Sequence, residues 1–275
     1  MDLRLKNVPV FITGACGLLG RQHAFAVAEA GGSPILIDIN DSALAQFKKE
    51  LESRFDVPVT VISCDISNEV NVRTAFEKVC SSIKSEIAGF GLVNNAALNP
   101  KVEGGGSQFT RIEDLTKESW DSAFNVGLYG SFLCAKYLKF AMEDLGVKLG
   151  SIVNISSDHG LISPKQSLYT VSGIPEDKQP VKPITYSLVK HAMIGLTRYL
   201  ATYWAQEGIR VNTLCPGGVF DGQNEIFLDR IRQEIPMGRM ASPTDYKGAV
   251  KFLLSSESLY MTGSTLVIDG GRTAW

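Results

Sequence analysis

The sequence predicts an α/β protein: one doubly wound domain over residues 1–275, with a parallel sheet of about seven strands and helices on both faces. Two observations carry this. Short apolar runs alternate with amphipathic helical stretches along most of the chain, the signature of repeated β-α-β units. The runs are apolar throughout instead of alternating with polar residues, as strands buried on both faces require. No repeat or clear domain boundary divides the 275 residues.

VPVFIT (8–13) reads as the first strand, a glycine turn follows, and RQHAFAVAEAGG is helical up to the Gly31-Gly32 stop. PILID (34–38) is the second strand, and the next helix opens on the capping candidates Asn40, Asp41 and Ser42. VTVISCD (59–65), GLVNNA (91–96) and SIVNISS (151–157) continue the strands, separated by helices over 68–83 and 117–145. Residues 163–184 break the pattern with four prolines and mixed charge, which predicts a loop. A helix over 185–208, a strand over 209–218, an irregular substrate loop over 219–240, a helix over 243–256 and a strand over 265–271 complete the chain. The only low-complexity stretch is Gly104-Gly105-Gly106.

Composition narrows the function. With 44% hydrophobic and 20% charged residues, the chain can bury a large core. Its 27 Lys and Arg against 29 Asp and Glu give a net charge of −2, so no basic field is present to hold a nucleic acid. The amino-terminal apolar run is too short for a signal peptide or a membrane span, which predicts a cytoplasmic protein with no membrane partner. Five scattered cysteines without a CxxC pair predict reduced thiols, and three histidines without clustered carboxylates predict no metal.

Gly14, Gly17 and Gly20 lie between the first strand and its helix, where backbone N–H groups can approach a pyrophosphate at a helix N-terminus. Asp38 ends the second strand 18 residues after Gly20, placed to accept hydrogen bonds from a ribose diol, though a helix-capping role is the alternative. The same carboxylate would repel a 2′-phosphate, and neither Ile39 nor Ala15-Cys16 offers a compensating cation, which favours NAD over NADP. Tyr186 and Lys190 stand at i and i+4, one above the other on a helix face. A neighbouring ammonium favours the phenolate, so such a tyrosine can exchange a proton with a hydroxyl or carbonyl.

With TGACGLLG, Asn94-Asn95-Ala96-Ala97, Trp120-Asp121 with Asn125, Ile155-Ser156-Ser157, YSLVK and Cys215-Pro216-Gly217 in this order, the chain resembles the short-chain dehydrogenase/reductases over essentially its whole length. The resemblance implies a Rossmann domain and an NAD-dependent oxidoreductase acting on CH–OH groups. It implies Tyr186 as general acid/base, Lys190 as ribose ligand and tuning cation, Ser157 on the substrate oxygen, and Asn125 holding a water relay to Lys190. It places Gly14, Gly17, Leu19 and Gly20 by the pyrophosphate and Asp65 with Ile66 by the adenine. Asn94 and Ala96 line the cofactor ribose, and Pro216, Gly217 and Val219 flank the nicotinamide; a buried structural role for Asn94 or Asn125 is the alternative. It also implies a homodimer or homotetramer through the long helices.

The chain departs from that family in three places. Leu18 stands where the usual pattern has its second glycine, Ala97 replaces a glycine, and Ser157 and Tyr186 are unusually far apart. Tyr169 lies nearer to Ser157, but its i+4 residue is Gly173, so Tyr186 is the expected catalyst. Residues 163–184 must then leave and re-enter at the mouth of the site. The insertion and the carboxyl-terminal segment look most like flagellin-modification oxidoreductases of bacterial sugar biosynthesis, which implies a polar, sugar-type substrate. Lys165, Lys178, Lys182, Arg111 and His159 are candidate groups for it. A catalytically silent NAD-binding regulator, and an epimerase or lyase with transient oxidation by bound NAD, are the competing readings.

Overall fold

The computed structural model describes residues 5–83, 86–100, 102 and 111–275; the glycine run 104–106 lies outside them. Seven parallel strands form one sheet in the order β3-β2-β1-β4-β5-β6-β7. They are β1 (Pro9–Thr13), β2 (Ser33–Asp38), β3 (Thr60–Ser63), β4 (Phe90–Asn94), β5 (Gly150–Ile155), β6 (Ile209–Pro216) and β7 (Thr265–Ile268). Strand order reverses between β1 and β4, and in such sheets ligands bind in the crevice outside the carboxyl ends of the strands at that reversal.

Side chains alternate along β1: Val10 and Ile12 enter one layer, Phe11 the other. The first layer packs α1 (Leu18–Glu29), α2 (Asp41–Arg54) and α8 (Lys247–Leu254) on the sheet through Val27, Phe47 and Leu253. The second packs α3 (Glu69–Ser82), α5 (Gly130–Asp144) and part of α6 (Ile184–Tyr203), with Phe11 and Phe76 stacked at 4.2 Å between centroids. Both faces are therefore buried, which explains the continuous apolar runs in the sequence.

Three regions differ from the sequence-based expectation. The helix expected over 117–145 is α4 (Lys117–Phe124), a π turn (Asn125–Tyr129) and α5, one wide turn inserted into the helical ladder. The loop expected over 163–184 contains two short 3-10 turns, Gln166–Tyr169 and Glu176–Lys178. The irregular loop expected over 219–240 contains α7 (Glu225–Gln233), capped by Asn224, whose Oδ1 accepts from the Phe227 N–H at 2.9 Å. Phe227, Leu228 and Ile231 of α7 join Leu168, Tyr169 and Val102 in a third, smaller apolar cluster above the carboxyl ends of the strands.

His23 is fully buried in α1, and neither ring nitrogen has a good hydrogen bond. Burial pushes its pKa down to about 4, against slight support of the charged form from Asn95. The unfolded chain therefore takes up this proton between pH 6.5 and 4 while the folded chain does not, so stability falls as pH falls through that window, by up to about 3 kcal/mol. His23→Met is expected to raise stability at neutral pH by about 1–2 kcal/mol and to reduce the acid loss. Urea midpoints at pH 7 and 5 check both; a less stable variant would show that the imidazole packs better than a thioether.

Candidate active site

A cavity of about 830 Å³ opens at the carboxyl ends of β1, β2, β4, β5 and β6. At one end, the turn after β1 lines it with Gly14, Cys16, Gly17, Leu18 and Leu19. Gly14 has φ +61°, and a Cβ there would lie 3.0 Å from Ala96 Cα, so the turn needs glycine both for its conformation and for its contact with the segment that follows β4. Gly20 does not line the cavity. A Cβ on it would stand 2.0 Å from the Gly14 carbonyl oxygen, so its role is to let α1 close onto the turn.

Asp38 is held in place by two backbone donors: Cys16 N–H to Oδ2 at 2.9 Å and Asn40 N–H to Oδ1 at 3.1 Å. Its carboxylate lines the cavity together with Asp65 and Ile66. Arg21, a cation on α1 that sequence reasoning did not weigh against a 2′-phosphate, pairs with Glu50 and lies over the Phe47 ring, outside the cavity lining. Cys16 is pushed up to about 11 by burial and by Asp38, which keeps it a neutral thiol.

At the strand reversal, Thr13 Oγ1 accepts from the N–H groups of Asn95 (3.0 Å) and Ala96 (3.1 Å), while Asn95 Nδ2 donates to the carbonyls of Thr13 and Gly14. Ala96 lines the cavity, as expected. Asn94 does not: it is 1% exposed, and its Nδ2 donates to Ser131 O and Asn154 Oδ1 beneath the cavity floor. As the last residue of β4 it points into the sheet layer, and the adjacent Asn95 has the outward place.

Asn125 is also corrected. It is exposed and absent from the lining, whereas Val126 faces the cavity and Gly127 packs so closely on α6 that a Cβ would lie 2.5 Å from Val189 Cγ1. Successive residues of a helical turn point in different directions, and position 125 has the solvent side. No relay through the Asn125 side chain follows from this structure.

The other expected catalytic groups meet. β5 delivers Ser157, and the first turns of α6 deliver Tyr186 and Lys190, all lining the cavity. Lys190 is 5% exposed, and its Nζ donates to Ile155 O at 2.8 Å, while Ser156 Oγ donates to Lys190 O at 2.6 Å, tying α6 to the strand end. Burial depresses Lys190 to about 8. Burial also pushes the Tyr186 phenol up to about 12, partly offset by its hydrogen bond with Ser157. The net direction at Tyr186 is upward, with burial the largest cause and the Asp158 carboxylate adding to it, while the Lys190 ammonium stands 5.6 Å from the ring centroid. Pro216, Gly217 and Val219 complete this wall.

The insertion reaches the cavity through Tyr169 and Lys182. Tyr169 packs on Phe227, 5.6 Å between centroids, and Lys182 Nζ lies 4.4 Å over the Tyr186 ring. Of the five polar candidates named from the sequence, Lys182 and His159 line the cavity. Lys165 pairs with Glu234, Arg111 bonds Glu113 and nearby carbonyls, and Lys178 is exposed. Sequence reasoning missed Asp158 and Arg272. Asp158 is 2% exposed; its Oδ1 accepts from Ser157 Oγ at 2.7 Å and its Oδ2 from Arg272 Nη1 at 2.6 Å. The available signal was a carboxylate directly after the serine, but its partner lies 114 residues away.

The short-chain dehydrogenase family model matches residues 9–225. The chain belongs to the short-chain dehydrogenase family. Its members include the flagellin modification protein A of Campylobacter coli, 32% identical over 268 residues that cover 97% of this chain and 98% of that one. A short-chain dehydrogenase of Leptospira borgpetersenii with bound NAD+ superposes with a TM-score of 0.80 at 29% identity, covering 99% of this chain and 95% of that one. A gluconate 5-dehydrogenase of Burkholderia cenocepacia in complex with NADP and tartrate superposes at 0.82 with 25% identity, covering 100% and 98%. Like its relatives in the family, the chain is an oxidoreductase acting on hydroxyl groups. Among the described residues, no helix is long and apolar enough to cross a membrane.

Proposed function

We propose that the protein transfers a hydride between NAD(H) and a secondary alcohol or ketone on a small, polar, sugar-type substrate. The observation that carries this is one continuous cavity with the Asp38 carboxylate at one end and Ser157, Tyr186 and Lys190 at the other.

The residues fit a nicotinamide dinucleotide. Gly14 and Gly17 leave open the space beside the α1 N-terminus that a pyrophosphate needs, Asp38 offers acceptors to a ribose diol, and Asp65 and Ile66 offer an adenine wall. Lys190 reaches the cavity from α6 as a ribose ligand, and Ala96, Pro216, Gly217 and Val219 lie along the same path. When bound, the dinucleotide supplies the hydride acceptor or donor. Tyr186 holds the exchangeable proton at its phenolic oxygen, and Ser157 hydrogen-bonds that oxygen and orients the substrate hydroxyl. Lys190, tied to Ile155 O, fixes α6 against the strand end.

A polar substrate is supported by Asp158, His159 and Arg272 in the cavity wall and by the similarity to a flagellin modification protein. A cytoplasmic homodimer or homotetramer belongs to the same reading, supported by exposed Phe140 on α5 and by Tyr199 and Tyr203 on α6.

Asp38 tests the cofactor. A charge-assisted hydrogen bond to a ribose hydroxyl contributes about 1.5–3 kcal/mol, so Asp38→Ala is expected to weaken NAD binding about tenfold to a hundredfold and to narrow the gap to NADP. Fluorescence titration of both cofactors measures it. A wild-type preference for NADP would overturn the NAD assignment.

A further inference from the structure

Arg272 lies just beyond β7, in a turn organised by Asp269, whose carboxylate accepts from the N–H groups of Gly271 (2.9 Å) and Thr273 (2.7 Å). Its side chain is 6% exposed, yet it lines the cavity. Nη1 donates to Asp158 Oδ2 and stands 3.4 Å from His159 Nε2. Its other guanidinium nitrogens make no hydrogen bond among the described residues, and none is sealed away from solvent, so they face the cavity. A buried guanidinium held by one carboxylate, with donors left over in a substrate pocket, is a built anion site.

We propose that Arg272 recognises a carboxylate and that the substrate is a small hydroxy acid, with its carboxylate on Arg272 and its reacting hydroxyl on Ser157 and Tyr186. This rests on the reading of the cavity as a nicotinamide-dependent active site. The distance between the two substrate groups follows from Asp158. One of its oxygens takes the Ser157 hydroxyl and the other takes Arg272. A ligand that touches both Ser157 and Arg272 therefore carries its hydroxyl and its anion only a few bonds apart, as in a short hydroxy acid.

The planar fork of arginine matches a carboxylate. A phosphate dianion would meet the neighbouring Asp158 charge with greater repulsion. His159, pushed down to about 4 by burial, adds a neutral donor or acceptor and no second charge. Lys182, over the Tyr186 ring on the same side, adds to the positive potential.

The test uses the full chain loaded with NAD and two matched probe pairs, tartrate against threitol by calorimetry and gluconate against glucitol by NAD reduction. Tartrate is expected to bind at least tenfold more tightly than threitol. That preference is expected to fall about tenfold to a hundredfold in Arg272→Gln, with a smaller fall in Arg272→Lys, which keeps the charge without the fork. Asp158→Asn/Arg272→Gln replaces the ion pair by two neutral amides, and serves if the single variant does not fold. Equal binding of tartrate and threitol to the wild-type protein, or an unchanged preference in the folded variants, overturns the proposal. If neutral secondary alcohols still reduce NAD in that case, the oxidoreductase reading stands. A protein that binds no nicotinamide cofactor loses both.

Discussion

Replacing Tyr186 by phenylalanine is expected to lower turnover by about a hundredfold or more while NAD affinity stays within a few fold. The ring fills the same space between His159 and the Lys182 and Lys190 ammoniums, so only the ionisable oxygen is lost. Tyr169→Phe is the control from the same cavity. Its ring packs on Phe227 in the roof, and most activity is expected to remain. Steady-state NAD reduction by both variants measures the contrast. The opposite order of losses would move the proton transfer to the insertion and remove α6 from the chemistry.

The second large effect concerns stability. Asp158→Ala leaves the Arg272 guanidinium buried without its counter-charge and takes the acceptor from Ser157 Oγ. Breaking one side of a buried ion pair typically costs about 3–5 kcal/mol. The lower end is expected here, because the guanidinium keeps the cavity on one side. Asp158→Ala/Arg272→Met removes both charges and is expected to recover most of the loss. Urea unfolding of the three proteins measures this, and a single variant within about 1 kcal/mol of wild type would show that cavity water solvates Arg272 fully. The single variant also removes a carboxylate that raises the Tyr186 pKa, so the acidic limb of its NAD-reduction profile, where the phenol must be deprotonated to accept the substrate proton, should move to lower pH.

The strands and most helices were legible in the sequence because burial on both faces leaves a direct trace: a strand covered by helices above and below is apolar over most of its length, with only a few hydrogen-bonded polar residues such as Asn94 and Asn154. Tyr186 and Lys190 on one helix, and Asp38, Gly14 and Gly17 at strand ends, were readable from local spacing, and Ser157 from the family resemblance; the structure brings these residues to one cavity. Asn94 and Asn125 were misplaced for a related reason. Neighbouring residues at a strand end or in a helical turn point in different directions, and a one-residue shift exchanges cavity for core or solvent. The π turn that orients residues 125–129 has no local pattern to announce it. Asp158 and Arg272 define each other only after the sheet has brought β5 and the end of β7 together, and no periodicity within either segment records that meeting. α7 was missed because its nine residues are too short for a helical period to stand out, and its apolar face is matched by residues distant in sequence, Val102, Leu168 and Tyr169.

The third apolar cluster is an island. Its eight buried residues come from positions 102, 168–169 and 227–240, and among the described residues none belongs to either main layer of the sheet. The segments that shape the substrate end of the cavity can therefore change together without disturbing the layers that hold the strand ends in register. In evolutionary terms the roof is a graftable module. Exchanging residues 163–184 together with 219–240 between relatives would transplant the roof while leaving Arg272, Asp158 and the proton-transfer groups in place, whereas exchanging either segment alone would separate Tyr169 from Phe227 and leave a mismatched seam.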